Sequence, residues 1–203
     1  YRQMNQKGLN NFLLKLKNIF GNFNYSKNEF GNGKVLVPKI ITDFYNYYFN
    51  LPNTDTFESY VPDNIKSFDK EFLVASLVAF MIDEANIGET IEVYSKNHNL
   101  IRGIREIAAK CGYDCKEVRK KYRYGVFDSY RFLISSNSYL KLYNDISKLT
   151  ERFPLCGLAH KAEKLKILVK RKQRSTLKEK NGVTKNNILN LLAIKPRVTS
   201  ELV

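Results

Sequence analysis

Residues 67–86, SFDKEFLVASLVAFMIDEAN, constrain this chain more than any other stretch. They form its most apolar continuous segment, yet they are flanked by charge and fall short of the roughly 20 apolar residues that cross a bilayer. Ser67, Asp69 and Glu71 suit a helix start: a hydroxyl able to cap it and two acids facing the positive end of the peptide dipoles. Phe72, Leu73, Ser76, Val78, Ala79, Phe80 and Ile82 then occupy almost every side. A helix that is apolar nearly all round must be buried, so other layers have to be built against it. Ala75 and Ala79, one turn apart, would let a second helix backbone come close. The run stops abruptly at Asp83 and Glu84.

A second constraint is internal repetition. Leu9, Leu13, Leu16 and Phe20 step by four, three and four residues, and Gly21 follows as a helix stop. Leu100, Ile104, Ile107 and Cys111 repeat those steps, and Gly112 follows. An aromatic comes next in each case, Phe23 and Tyr113. Lys34, Val35, Leu36 and Val37 match Arg131, Phe132, Leu133 and Ile134 as strand-like runs. Phe44, Tyr45, Tyr48 and Leu51 match Leu142, Tyr143, Ile146 and Leu149 on a following helix. The chain therefore reads as helix, strand, turn, strand, helix, twice over. Only the second copy is preceded by the apolar helix and a strand, so an equivalent helix is expected before Tyr1, or from another chain.

Between the copies, residues 51–66 hold Pro52 and Pro62 and read as a surface linker. Residues 89–95 alternate, with Ile91 and Val93 on one side and Thr90, Glu92 and Tyr94 on the other, as in a half-buried strand. Asn97 or Asn99 is placed to cap the next helix. Residues 115–123 and 129–135 read as paired strands with a turn at 125–128. Residues 138–149 follow as a helix, and 153–173 as a closing element. Residues 174–181 are polar and linker-like. Residues 184–194 and 198–203 then read as two short helices resembling the opening of a helix-turn-helix domain. Three units result: 1–66, 67–173 and 174–203.

The 203 residues carry 34 Lys+Arg against 20 Asp+Glu, a net charge of +14. That excess points to a polyanion, because cations that neutralise phosphates release condensed counterions. Three cysteines, Cys111, Cys115 and Cys156, are too few for a disulfide framework or a four-ligand zinc site. There is no amphipathic membrane helix and no secretory signal pattern, and the chain is expected in the cytoplasm, associated with the nucleoid. Lys116, Arg119, Lys121, Arg123 and Arg131 fall in the predicted hairpin, with Tyr122 and Tyr124 interleaved. Strand alternation puts Arg119, Lys121 and Arg123 on one face. That pattern suits phosphate contacts for affinity and Arg or Tyr contacts to base edges. Lys170, Arg171 and Lys172 add a basic helix end. His98 and His160 read as surface residues rather than general bases.

Residues 78–86, VAFMIDEAN, followed by this duplicated order, resemble the signature helix and repeat of the LAGLIDADG homing endonucleases. Ala79, Ile82 and Asp83 match that motif, whereas Phe80, Ala85 and Asn86 depart from it. Lys161, Glu163, Lys164 and Leu165 resemble the K-x-E-K-L form of the family's closing helix. The resemblance implies an α+β fold: a duplicated αββαββα saddle with antiparallel sheets, plus the C-terminal helical segment. It implies double-stranded DNA as partner, a second copy of the chain as a further one, and no small-molecule substrate. In the family the helix end holds a divalent metal, but the acid's position here is Ala85. The leading expectation is therefore a DNA-binding transcriptional regulator that has lost cleavage. The alternatives are a Mg2+-dependent endonuclease using Asp83 or Glu84 as catalytic and metal-binding residues, or an RNA-binding maturase. Without retained cleavage no cofactor is expected.

Overall fold

The apolar segment becomes helix α4, Lys70–Glu84, in the computed structural model, which describes residues 6–27, 35–49 and 57–180. Its cap is Asp69 rather than Ser67: the Asp69 carboxylate accepts from the Phe72 amide at 2.8 Å. Ser67 instead closes a preceding four-residue helix, α3, Asp63–Lys66. Leu73, Val74, Leu77, Val78, Met81 and Ile82 of α4 are buried. Side chains of this size each stabilise the fold by about 1.5–3 kcal/mol relative to leaving them wet. The stripe through Ala75 and Ala79 is the less covered side, with Ala75 half-buried and Ala79 exposed.

α4 runs directly into strand β3, Ala85–Ile87, which the sequence reading omitted. β4, Ile91–Ser95, follows, then helix α5, His98–Lys110, strands β5, Arg119–Arg123, and β6, Val126–Ile134, and helix α6, Tyr139–Arg152. Asn97 caps α5 by accepting from the Leu100 amide at 3.0 Å. The strands form one antiparallel sheet in the order β3-β4-β6-β5. Ile91 and Val93 on β4 and Phe132 and Ile134 on β6 point to one face and are buried with Leu77, Met81, Ile101, Ile107 and Leu142 from the helices. Among the described residues these helices thus cover that face, as the two-residue period of the strands requires.

Residues 57–66 do not form the surface linker expected over 51–66. Val61 and Pro62 are buried, and Val61 lies against Gly103 of α5, where an added Cβ would sit 2.7 Å from the Val61 Cβ. Only glycine allows that approach. Residues 51–56 lie outside the described residues.

The first unit repeats the second half of this order: helix α1, Gln6–Phe20, short strands β1, Ser26–Lys27, and β2, Val35–Leu36, and helix α2, Lys39–Phe49. β1 and β2 pair antiparallel. Gly21 and Gly112 both take positive φ, +73° and +78°, the left-handed stop that glycine adopts without penalty. Leu13 and Leu16 are buried as are Ile104 and Ile107, and Val35 as is Phe132, whereas Leu9 is buried against a half-buried Leu100 and Phe20 half-buried against a buried Cys111. The likeness fails on α2, where Phe44 and Tyr48 are exposed while their counterparts Leu142 and Ile146 are buried. Among the described residues, the first unit sets only this two-stranded pair beside α2, against four strands beside α6.

The closing helix α7, Ala162–Lys180, is longer than expected. Residues 174–180 continue it rather than forming a linker, because Lys, Leu, Glu and Arg are strong helix formers and no Gly or Pro interrupts them. The two helices expected at 184–194 and 198–203 lie outside the described residues.

Candidate nucleic-acid interface

The outer face of the four-stranded sheet, opposite the helices, carries the predicted basic row. Cross-strand pairing sets Tyr94 beside Arg131 and Arg131 beside Arg119. Pairing then steps from Lys121–Ser129 to Tyr122–Phe127, so Asp128 is an extra residue on β6. A bulge disturbs alternation on the strand that contains it, and that strand is β6. β5 keeps its period, and Arg119, Lys121 and Arg123 stay on the outer side as expected. Arg119 and Arg123 are exposed.

Lys121 and Arg131 are partly neutralised. Lys121 Nζ donates to Glu92 Oε2 at 3.0 Å, and Arg131 Nη1 donates to Glu92 Oε1. Glu92 is thus a shared counter-ion on the outer face, its side chain only 13% exposed. Beside it stands Tyr94, whose phenol is pushed up by burial first and then by Glu84, Asp128 and Glu92. The face therefore has an acid-ringed centre around Tyr94 and a basic margin along β5.

The turn is tighter than residues 125–128. Tyr124 and Gly125, with φ of +52° and +78°, form a two-residue connection between Arg123 and Val126. That is the primed turn whose twist suits a hairpin. Lys116 precedes β5 on the same edge, its amide donating to the Leu133 carbonyl at 2.9 Å. Arg105 of α5 pins this connection by donating to the Lys116 carbonyl at 2.9 Å and pairing with Glu117. The other predicted cations are elsewhere. Lys170 and Arg171 are exposed and Lys172 half-buried on α7, which packs against α6 and β3, the edge strand remote from β5. The structure does not gather them with the hairpin.

Asp83 and Glu84 end α4 beside a group the sequence reading treated only as a motif letter. Lys161, buried, donates from Nζ to the Met81 carbonyl at 2.9 Å and the Ala85 carbonyl at 2.7 Å. It satisfies carbonyls that a helix C-terminus leaves open and places a cation at the negative end of the dipoles. Burial pulls its pKa down to about 8, against the opposing pull of Asp83 and Glu84. Glu84 is pushed up by burial and by Asp83, with Lys161 opposing. Burial lowers the pKa of Lys15 on α1, with Cys156 and then Asp83 opposing.

Mg2+ asks for a compact set of oxygen ligands and keeps several waters. Asp83 and Glu84 stand instead within the field of a lysine ammonium that occupies the helix end, and the next residue, Ala85, carries no acid. These residues do not fit the metal. Among the described residues no cluster of three or more His, Cys, Asp or Glu has the form of a metal site.

His98 is exposed and packs at a tilt against Tyr130, with ring centroids 4.7 Å apart. His160 is half-buried, with Nδ1 enclosed and without a hydrogen-bond partner among the described residues. Burial lowers its pKa first, followed by Lys161 and Lys164. Among the described residues no helix is long and apolar enough to cross a membrane. A scan against protein-family models gives no match to this chain, and a search of curated proteins gives none either.

Proposed function

We propose that this chain binds double-stranded DNA through the outer face of the sheet. We infer that it is a regulator built on a degenerate homing-endonuclease fold rather than a nuclease. The observation that carries the reading is the basic row: Arg119, Lys121 and Arg123 lie on the sheet face opposite the buried Phe132 and Ile134, and both arginines are exposed. Supporting the fold assignment, α4 through α6 follow one another as αββαββα, and α1 through α2 repeat the second half of that order. A cation-filled helix end in place of a metal site supports binding without cleavage. Ala79, exposed on α4, leaves a small-residue stripe open to a second copy of the chain. Work at the nucleoid, in the cytoplasm, follows from this reading.

The test is duplex binding followed by fluorescence anisotropy across a salt series, beside Mg2+-dependent plasmid nicking. The reading expects affinity that falls steeply with salt, loss of binding when Arg119, Lys121 and Arg123 are all changed to Glu, and no nicking. Binding untouched by the triple change would overturn the interface. Nicking abolished by Asp83→Asn or Glu84→Gln would restore the nuclease alternative, and preference for structured RNA over duplex DNA the maturase one.

A further inference from the structure

The tip of the β5–β6 hairpin is built against local preference. Tyr124 holds a left-handed backbone at φ +52° in a two-residue turn. Turns of this kind favour Gly, Asn or Asp, because a bulky side chain there meets the following carbonyl. The Tyr124 ring contributes nothing to the core, since it is 94% exposed. Its neighbour Tyr122 is 58% exposed and meets Phe127 edge to face at 6.4 Å. Arg123 Cζ lies 5.7 Å from the Tyr124 ring centroid, so a guanidinium accompanies the ring.

This aromatic tip continues the basic row. Alternate residues on a strand are about 6.8 Å apart, twice the ~3.4 Å axial rise per base on one DNA strand. A backbone followed by Arg119, Lys121 and Arg123 therefore reaches the tip about one base step beyond Arg123. Aromatic rings at the end of a cationic track take unpaired bases, because every base has a face to stack and stacking pays off only where the base is free of its own neighbours.

We propose that Tyr124 stacks on an unpaired base in duplex DNA, with Arg123 holding the flanking phosphate. The proposal rests on the DNA-binding reading above and names the feature that the site takes. Two duplexes test it, one fully paired and one carrying a single bulged 2-aminopurine. Wild-type protein binds the bulged duplex at least about 5-fold tighter and quenches its fluorescence. Tyr124→Asn, which suits the turn and removes the ring, loses both effects, so that the bulged and the paired duplex are bound alike. Tyr124→Phe keeps both. Equal affinity for the two duplexes with no quenching, or a preference that survives Tyr124→Asn, overturns the proposal alone. Failure to bind either duplex at low salt overturns the DNA-binding reading as well. A preference shown only on a bulged RNA overturns the choice of DNA.

Discussion

Glu92→Gln is expected to strengthen DNA binding, against the usual effect of a change on a binding face. The carboxylate is largely enclosed and bonded to both Lys121 and Arg131. The amide removes one negative charge from the face while keeping a hydrogen-bond acceptor for one of the two cations. Lys121 and Arg131 then become available to phosphates. Two more neutralised phosphates steepen the slope of log affinity against log salt by about 1.8. Between about 50 and 200 mM salt that slope amounts to roughly a tenfold additional loss, so the gain is largest at low salt. A carboxylate about 7 Å from a phosphate costs on the order of 2 kcal/mol at an effective dielectric near 20. The expected low-salt gain is therefore roughly 5- to 30-fold. The cost to folding is about 1–3 kcal/mol, because the Glu92 side chain is only 13% exposed and the amide turns an NH2 toward one of two cations that carry no acceptor. Anisotropy titrations at several salt concentrations, with thermal melts as control, measure both. Weaker binding, or an unchanged slope with intact folding, would show that Glu92 does not face the nucleic acid and would refute the reasoning.

Other outcomes follow from the same contacts. Lys161 has a folded pKa of about 8, below its ordinary 10.5, so below pH 8 the fold bears the cost of a buried charge. Its contribution rises as pH climbs from about 8 toward 10.5, where only the unfolded chain still binds the proton. The buried Cys111 thiol and the half-buried Cys115 thiol, both pushed up to about 11, pull the other way in this range. The melting temperature of wild type relative to Lys161→Met isolates the lysine and should increase across that window; a pH-independent difference would reject the assignment. Gly103→Ala drives a methyl into Val61 and should cost about 1–3 kcal/mol in urea melts, with partial rescue by Val61→Ala. Tyr124→Asn should raise stability by about 1 kcal/mol, since Asn tolerates the left-handed turn; no change in the unfolding midpoint would mean the turn carries no strain.

What could be read from residues alone divides by range. α4 was legible because its apolar residues leave no polar side, and α1 and α5 because their stripes end in Gly21 and Gly112. The basic row on β5 was legible because the bulge fell on the other strand. Asp69 displaced Ser67 as cap because both candidates sit within one turn of the helix start. β3 escaped notice because three residues carry too little alternation to announce a strand. The turn begins one residue before the glycine that marks it in the sequence, because Tyr124 also turns. Glu92 and Lys161 could not be placed from sequence: their partners lie 39 and 80 residues away, and only register and packing bring them together. Lys161 did carry one signal, since it is the first lysine after the largely apolar residues 155–159. Val61 was lost to its linker setting, though Gly103 within an apolar stripe hinted at a close neighbour.

Arg119 and Lys120 are adjacent, exposed and equally charged, but β5 turns them to opposite faces of the sheet. Measuring duplex affinity against salt for Arg119→Glu and Lys120→Glu therefore isolates the face from the charge. If the outer face binds the backbone, Arg119→Glu weakens binding and flattens the salt slope by about 0.9, while Lys120→Glu leaves the slope near wild type. Equal losses from the two changes, or a larger one from Lys120→Glu, would contradict the account.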